Sequence, residues 1–267
     1  MNTKRIVLIL IAVAFLLIAV FSLVGLFSVK KVEVDFSVSD DRDIEEIQEL
    51  LNRYNGKNLM FLKSESVKET LKDYHYLEVL SVDKDYPNVL KVSIKERREI
   101  YTFEHGEKVY VTDENGFVLS DSYSYHPLDK KIKLTFGQGV NVLDVVPGNI
   151  IKTENDAILT SVFNIVKNVN LTDCIESVEI MKPFLTDTDY DVVFKAFTGV
   201  EIHIEGVLDR GEQKIINAFK VYDEKLSDYQ KTYGKIESFF VSEKENGVVV
   251  REYFRVTYEG SDIDFNV

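Results

Sequence analysis

The chain has 267 residues and a formal net charge of −13, from 45 Asp and Glu against 32 Lys and Arg. That balance excludes a surface of the kind that binds nucleic-acid phosphates, which needs clustered cations. Its single cysteine, Cys174, excludes an intramolecular disulfide, so any exported domain must be held together by its core.

Ile6 to Phe27 is an apolar run interrupted only by Ser22 and Gly25. As a helix it is long enough to cross the ~30 Å hydrocarbon layer. A cleaved signal peptide fits less well, because the run is longer than a signal core and its exit, Gly25-Leu26-Phe27-Ser28-Val29, has no A-x-A-like site. Lys4 and Arg5 before the run balance Lys30 and Lys31 after it, so charge alone does not orient it. Long domains translocate largely regardless of charge, and the acidic stretch from Glu33 to Glu49 is unsuited to an anionic leaflet. The expectation is a tail at 1–5, a transmembrane helix at 6–27 and a large region outside the cytoplasm.

Val32, Val34 and Phe36 alternate with Glu33, Asp35 and Ser37, the period of a half-buried strand. Ser39, Asp40, Asp41 and Asp43 supply N-cap and first-turn groups for a helix lined by Ile44, Ile47, Leu51 and Tyr54, which Asn55-Gly56 stops. Ser64 or Ser66 opens a second helix, with Glu69 placed for a capping box. Leu77, Val79, Val82, Leu90, Val92 and Ile94 then fit two strands joined at Tyr86-Pro87-Asn88. The order strand, helix, helix, strand, strand predicts a three-stranded sheet with both helices on one side.

From Tyr101 the pattern is mainly β. Val109 and Val111 lead into Asp113-Glu114-Asn115-Gly116 and out through Phe117 to Leu119, a hairpin signal. Val178–Met181, Asp191–Phe197, Val200–Ile204, Ile236–Val241 and Val248–Tyr258 are further strands. Two helices interrupt them, one lined by Ile158, Val162, Ile165, Val166 and Val169, the other by Ile215, Phe219, Tyr222 and Leu226. The fold class is α+β.

Several segments, in this order behind one apolar run, resemble the bacterial cell-division family FtsQ/DivIB. They are Val32-Glu33-Val34, Gly56-Lys57-Asn58-Leu59-Met60-Phe61-Leu62, Tyr86 through Arg97, Tyr110 through Gly116, Gly199 to Gly206 and Lys214 to Leu226. The resemblance is looser from Ser120 to Lys195, where Pro147-Gly148 stands in place of the family's proline-bearing loop. The resemblance implies a POTRA-like β-α-α-β-β domain over 29–98, a larger, mainly antiparallel β domain with two helices over 99–258, and a tail at 259–267. It also implies a non-enzymatic scaffold at the division septum that docks FtsB/DivIC-like and FtsL-like coiled-coil proteins, and through them reaches septal wall synthases.

Candidate sites follow from that expectation. Val248 to Tyr258 is a terminal strand whose backbone could complete a partner's ladder, with Val249, Arg251 and Tyr253 on one face. Its bland alternative is an internal rung. Lys95, Arg97 and Arg98 form a weaker contact candidate at the domain junction, where a solvated strand end is the plainer account. No cofactor, metal ligand set or catalytic constellation stands out. His75, His105, His126 and His203 lack partners at metal-ligand spacing. Asp187, Asp189 and Asp191 lack the Gly and Glu of a calcium loop, and Cys174 has no activating neighbour in sequence. The rival class, an anchored envelope hydrolase or ligand-binding protein, requires a pocket gathering His105, His126, Asp187 or Asp189.

Overall fold

The computed structural model describes residues 10–16, 25–37, 44–123, 131–183 and 189–266. Residues 10–16 are helical, as are 25 and 26. The rest of the expected span lies outside the described residues, and among those described no helix is long and apolar enough to cross a membrane. The chain divides into two compact units, 1–97 and 98–267.

In the first unit, β1 (Lys31–Ser37) is followed by α1 (Ile44–Asn52), α2 (Ser64–Thr70), β2 (Leu77–Asp85) and β3 (Val89–Glu96). The last strand takes the centre of the sheet, in the order β1-β3-β2, parallel to β1 and antiparallel to β2. Leu90, Val92 and Ile94 alternate along β3 and are fully buried in one cluster with Ile47 and Leu51 of α1 and Val67 of α2. Both helices therefore cover the same face, as their single apolar stripes require. Gly56 takes a φ of +81° where the chain leaves the turn after α1, as Asn55-Gly56 predicts. The expected caps at 39–43 lie outside the described residues. The capping box at Ser66 does not form: α2 starts at Ser64 behind Lys63, which gives no side-chain cap. The Tyr54 hydroxyl donates to the Ser66 carbonyl at 2.6 Å and anchors this helix instead.

The second unit contains β4 (Tyr101–His105), β5 (Lys108–Thr112), β6 (Val118–Ser122), β7 (Ile132–Phe136), β8 (Val142–Asp144), β9 (Lys152–Thr153) and α3 (Asp156–Asn168). It continues with β10 (Ile175–Met181), β11 (Asp191–Ala196), β12 (Glu201–Ile204), α4 (Gly211–Lys225), α5 (Asp228–Tyr233), β13 (Lys235–Glu245), β14 (Val248–Tyr258) and β15 (Ser261–Asn266). Ten strands form one sheet in the order β15-β14-β13-β12-β11-β10-β7-β4-β5-β6, and β8 pairs with β9. Six of its nine pairings are antiparallel; β10–β7, β4–β7 and β12–β13 are parallel. Val178, Val192, Phe194, Ile202 and Ile204 from its middle strands are fully buried against Val162 of α3 and Ile215 of α4. The hairpin at Asp113 has a clear local cause. The buried carboxylate accepts from the amides of Asn115 and Phe117, both at 2.9 Å, and Gly116 has a φ of +76°.

Six elements exceed the expectation. Strands β4, β7, β8 and β9 and the short helix α5 have no counterpart in the sequence reading, and β15 lies within the stretch expected to be a tail. Ser227 caps α5 in a full capping box with Gln230, so the signal for it stood in the sequence.

Lys214 is buried beside this sheet, and its ammonium donates to the carbonyls of Glu205 at 2.7 Å and Gly206 at 2.9 Å. Burial pushes its pKa below the ordinary lysine value. A lysine depressed on folding binds fewer protons in the folded than in the unfolded chain between its lowered pKa and 10.5, so stability rises with pH across that window. Urea denaturation at stepped pH should therefore show the stability difference, wild type minus Lys214→Met, growing as pH rises toward 10.5. A pH-independent difference contradicts the assignment.

Candidate functional site

Strands β13 and β14 outrun their neighbours. β13 pairs with β12 only from Lys235 to Ser238, and β14 pairs with β15 only from Tyr253 to Tyr258. Beyond those points they continue as a two-stranded ribbon, closed at Asn246-Gly247 with φ of +50° and +80°, the positive pair that a two-residue hairpin requires. From Val248 to Glu252, β14 has no named strand on the side away from β13 among the described residues. All five of these residues are exposed, and Val248, Val249 and Val250 retain 66%, 46% and 52% of their surface. Three consecutive exposed valines on an open ladder are what isolated soluble proteins avoid.

The base of the ribbon is locked. Tyr253 is only 1% exposed, and its hydroxyl donates to the Glu243 carboxylate at 2.9 Å. Arg255 donates to that hydroxyl at 3.0 Å and grips Asp264 of β15 through two nitrogens, at 2.8 and 3.2 Å. Arg251 and Arg255 lie 4.3 and 5.1 Å from the Tyr253 ring centre. The Arg255 guanidinium holds the Asp264 carboxyl below the usual carboxylate range, while desolvation and the neighbouring Glu243 carboxylate push the Tyr253 phenol up. Phe240 packs on Phe254, with ring centres 5.3 Å apart, and Arg210 lies 4.0 Å from the Phe240 ring centre.

This geometry corrects the expected border strand. β14 is flanked on both sides from Tyr253 onward, so Tyr253 offers neither open backbone nor an exposed ring. The reason lies in Glu259-Gly260, which turns the chain back with φ of +44° and +76° so that β15 covers that half of β14. The grouping of Val249 with Arg251 and Tyr253 is also interrupted. Glu243 pairs with Arg251 but Lys244 pairs with Val249, which leaves Val250 as an extra residue and breaks strict alternation. Val249 and Arg251 remain on the open segment.

At the weaker candidate, Arg97 is mostly covered, lies 3.7 Å from Glu78 and donates its amide to Tyr76. Lys95 sits in the β2–β3–β1 ladder opposite Glu78 and Ser37. These two are structural parts of the first unit, and Arg98 begins the second. Of the residues the rival class requires, His126 and Asp187 lie outside the described residues. His105 borders a cleft of about 470 Å³ that Asp189 does not line. Among the described residues, no group of three His, Cys, Asp or Glu side chains is placed to hold a metal ion.

Residues 27–97 match the POTRA domain of FtsQ type. Over 248 residues the chain is 25% identical to the cell division protein DivIB of Clostridium tetani, covering 90% of this chain and 79% of that protein. It is 21% identical over 220 residues to DivIB of Clostridium botulinum strain Hall, covering 82% and 81%. These similarities support the resemblance to the FtsQ/DivIB family. A shorter match, 27% over 64 residues, to DivIB of Clostridium acetobutylicum covers 24% of this chain and 26% of that protein. The similarity to DivIB proteins supports a role in cell division, and the first unit holds a POTRA domain of FtsQ type whose cis Tyr86–Pro87 turn and central β3 carry the segment noted from sequence.

Proposed function

We propose that the chain is a membrane-anchored, non-enzymatic scaffold of the division machinery at the septum, with its bulk outside the cytoplasm. Its second unit takes up a β-strand from an FtsB/DivIC-like or FtsL-like single-span protein, and septal wall synthases are reached through that partner. The observation that carries this reading is the open ladder Val248–Glu252, five exposed residues with amide and carbonyl groups along a side that no named strand covers. Strand addition supplies main-chain hydrogen bonds for affinity and side-chain contacts at alternate positions for specificity. Anchoring both proteins in one membrane raises their effective concentration, so a short ladder suffices. Tyr253 serves as a positioning residue, fixing the ribbon base through Glu243 and Arg255.

The test is capture of detergent-solubilised FtsB-like and FtsL-like partners by full-length protein carrying Val248→Asp and Val250→Asp. Both valines are more than half exposed, so the fold should persist, and amide exchange in β10 to β12 checks it. Two desolvated charges on the docking strand should weaken capture at least about tenfold, equivalent to ~1.4 kcal/mol. Undiminished capture by the folded variant refutes the assigned edge.

A further inference from the structure

The segment that leaves the apolar run does not dangle from the first unit. Phe27 accepts a hydrogen bond from the Leu59 amide at 2.7 Å, Ser28 bridges to Asn58, and Val29 exchanges bonds with Lys57 and Gly56 at 2.9 and 2.8 Å. On the other flank, the Lys30 amide donates to Asn88 at 2.9 Å, and the Phe27 ring meets Tyr86 edge-on at 5.8 Å. Two loops, 56–62 and 86–88, are thus strapped to the residues that directly follow the run ending at Phe27.

These loops expose apolar side chains where a packed core has no use for them. Phe61 is 78% exposed and Met60 53%, although their neighbours Leu59 and Leu62 are buried. Leu26, next to Phe27, and Tyr86, on the other flank, are exposed as well. Lys30, Lys57 and Lys63 are exposed in the same stretches, with Glu33, Glu65 and Asp85 the nearest acidic residues in sequence. Exposed aromatic and apolar side chains with lysines nearby suit the headgroup boundary of a bilayer.

We propose that Met60 and Phe61, together with the exposed Leu26 and Tyr86, insert into the lipid interface, so that the POTRA unit touches the membrane at a second point besides its anchor. This rests on reading residues 6–27 as a membrane span. The occupant is the lipid surface because the geometry leaves little alternative. If the span ends at Phe27, a loop bonded to Phe27 and Ser28 lies at the headgroups. The consequence is a fixed orientation of the POTRA sheet relative to the bilayer, instead of a unit swinging on a single covalent tether.

The experiment uses the full chain in a Cys174→Ser background, reconstituted into vesicles of phosphatidylethanolamine and phosphatidylglycerol. An environment-sensitive fluorophore is attached at Met60→Cys, at Leu16→Cys within the run, or at Lys72→Cys beyond the far end of α2. Quenching by nitroxides placed at different depths on the lipids should put position 60 about 5–10 Å below the headgroups, position 16 in the hydrocarbon and position 72 in water. Adding Phe61→Asp should abolish quenching at position 60 and leave position 16 unchanged. Quenching at 16 with none at 60, or quenching at 60 that survives Phe61→Asp, overturns the second contact while the span stands. No quenching at either position overturns the span reading, and this inference with it.

Discussion

Leu90→Ala should unfold the POTRA unit at room temperature. Leu90 sits on the central strand β3, paired with Val32 of β1 and Lys84 of β2, and is completely buried. Removing a fully enclosed leucine costs about 2.7–5 kcal/mol, through lost transfer free energy and the cavity left behind. A single core in a unit this small rarely supplies more than about 3–5 kcal/mol. The loss therefore matches the whole reserve, which is why the expected outcome is unfolding and not a modest shift. The readout is amide exchange in the full chain: protection should vanish across β1, β2 and β3 and persist in β10 to β12. Retained protection in β3 would show that another part of the chain shores up this core.

Gly199→Ala should lower the stability of the second unit. Gly199 has a φ of +107°, outside the region that side chains accept, and a methyl there would overlap the carbonyl oxygen of Thr232. That carbonyl belongs to the last turns of α5, and the Val200 amide already donates to Lys231 at 3.1 Å. Neither backbone can withdraw without breaking the seam between α5 and the start of β12. Backbone strain of this kind costs about 1–3 kcal/mol, and the overlap adds to it. At roughly 2–4 °C per kcal/mol for a domain of this size, the midpoint of the second unit should fall by about 5–10 °C in calorimetry. An unchanged midpoint would mean that α5 is loosely held.

The sequence carried the architecture wherever one period governed a segment. Leu90, Val92 and Ile94 on one face, or Ile158, Val162 and Ile165 on another, need no tertiary information to be assigned. Glycine and asparagine marked turns for the same local reason, since Gly56, Gly116 and Gly247 occupy backbone angles that few other residues accept. Where polar residues dominated, the same rules were present but quieter. Ile263 and Phe265 alternate between Asp262, Asp264 and Asn266, and Glu259-Gly260 supplies a turn, yet so short and acidic a stretch reads as a tail until its ladder to β14 is seen. α5 shows its cap at Ser227 and Gln230 but buries no side chain of its own, so it has no apolar stripe to read.

What the amino-acid order determined by itself was the apolar run, the β-α-α-β-β succession and the mainly β remainder, because each depends on neighbours within one or two turns of chain. What only the tertiary structure decided was which backbone groups stay open. Among the described residues, β14 is an internal rung from Tyr253 to Tyr258 and an open ladder from Val248 to Glu252, because its pairing with β15 stops at Tyr253. Strand order, and the length over which two strands overlap, are set by pairings between distant residues. No local pattern of side chains encodes where such a partner strand ends.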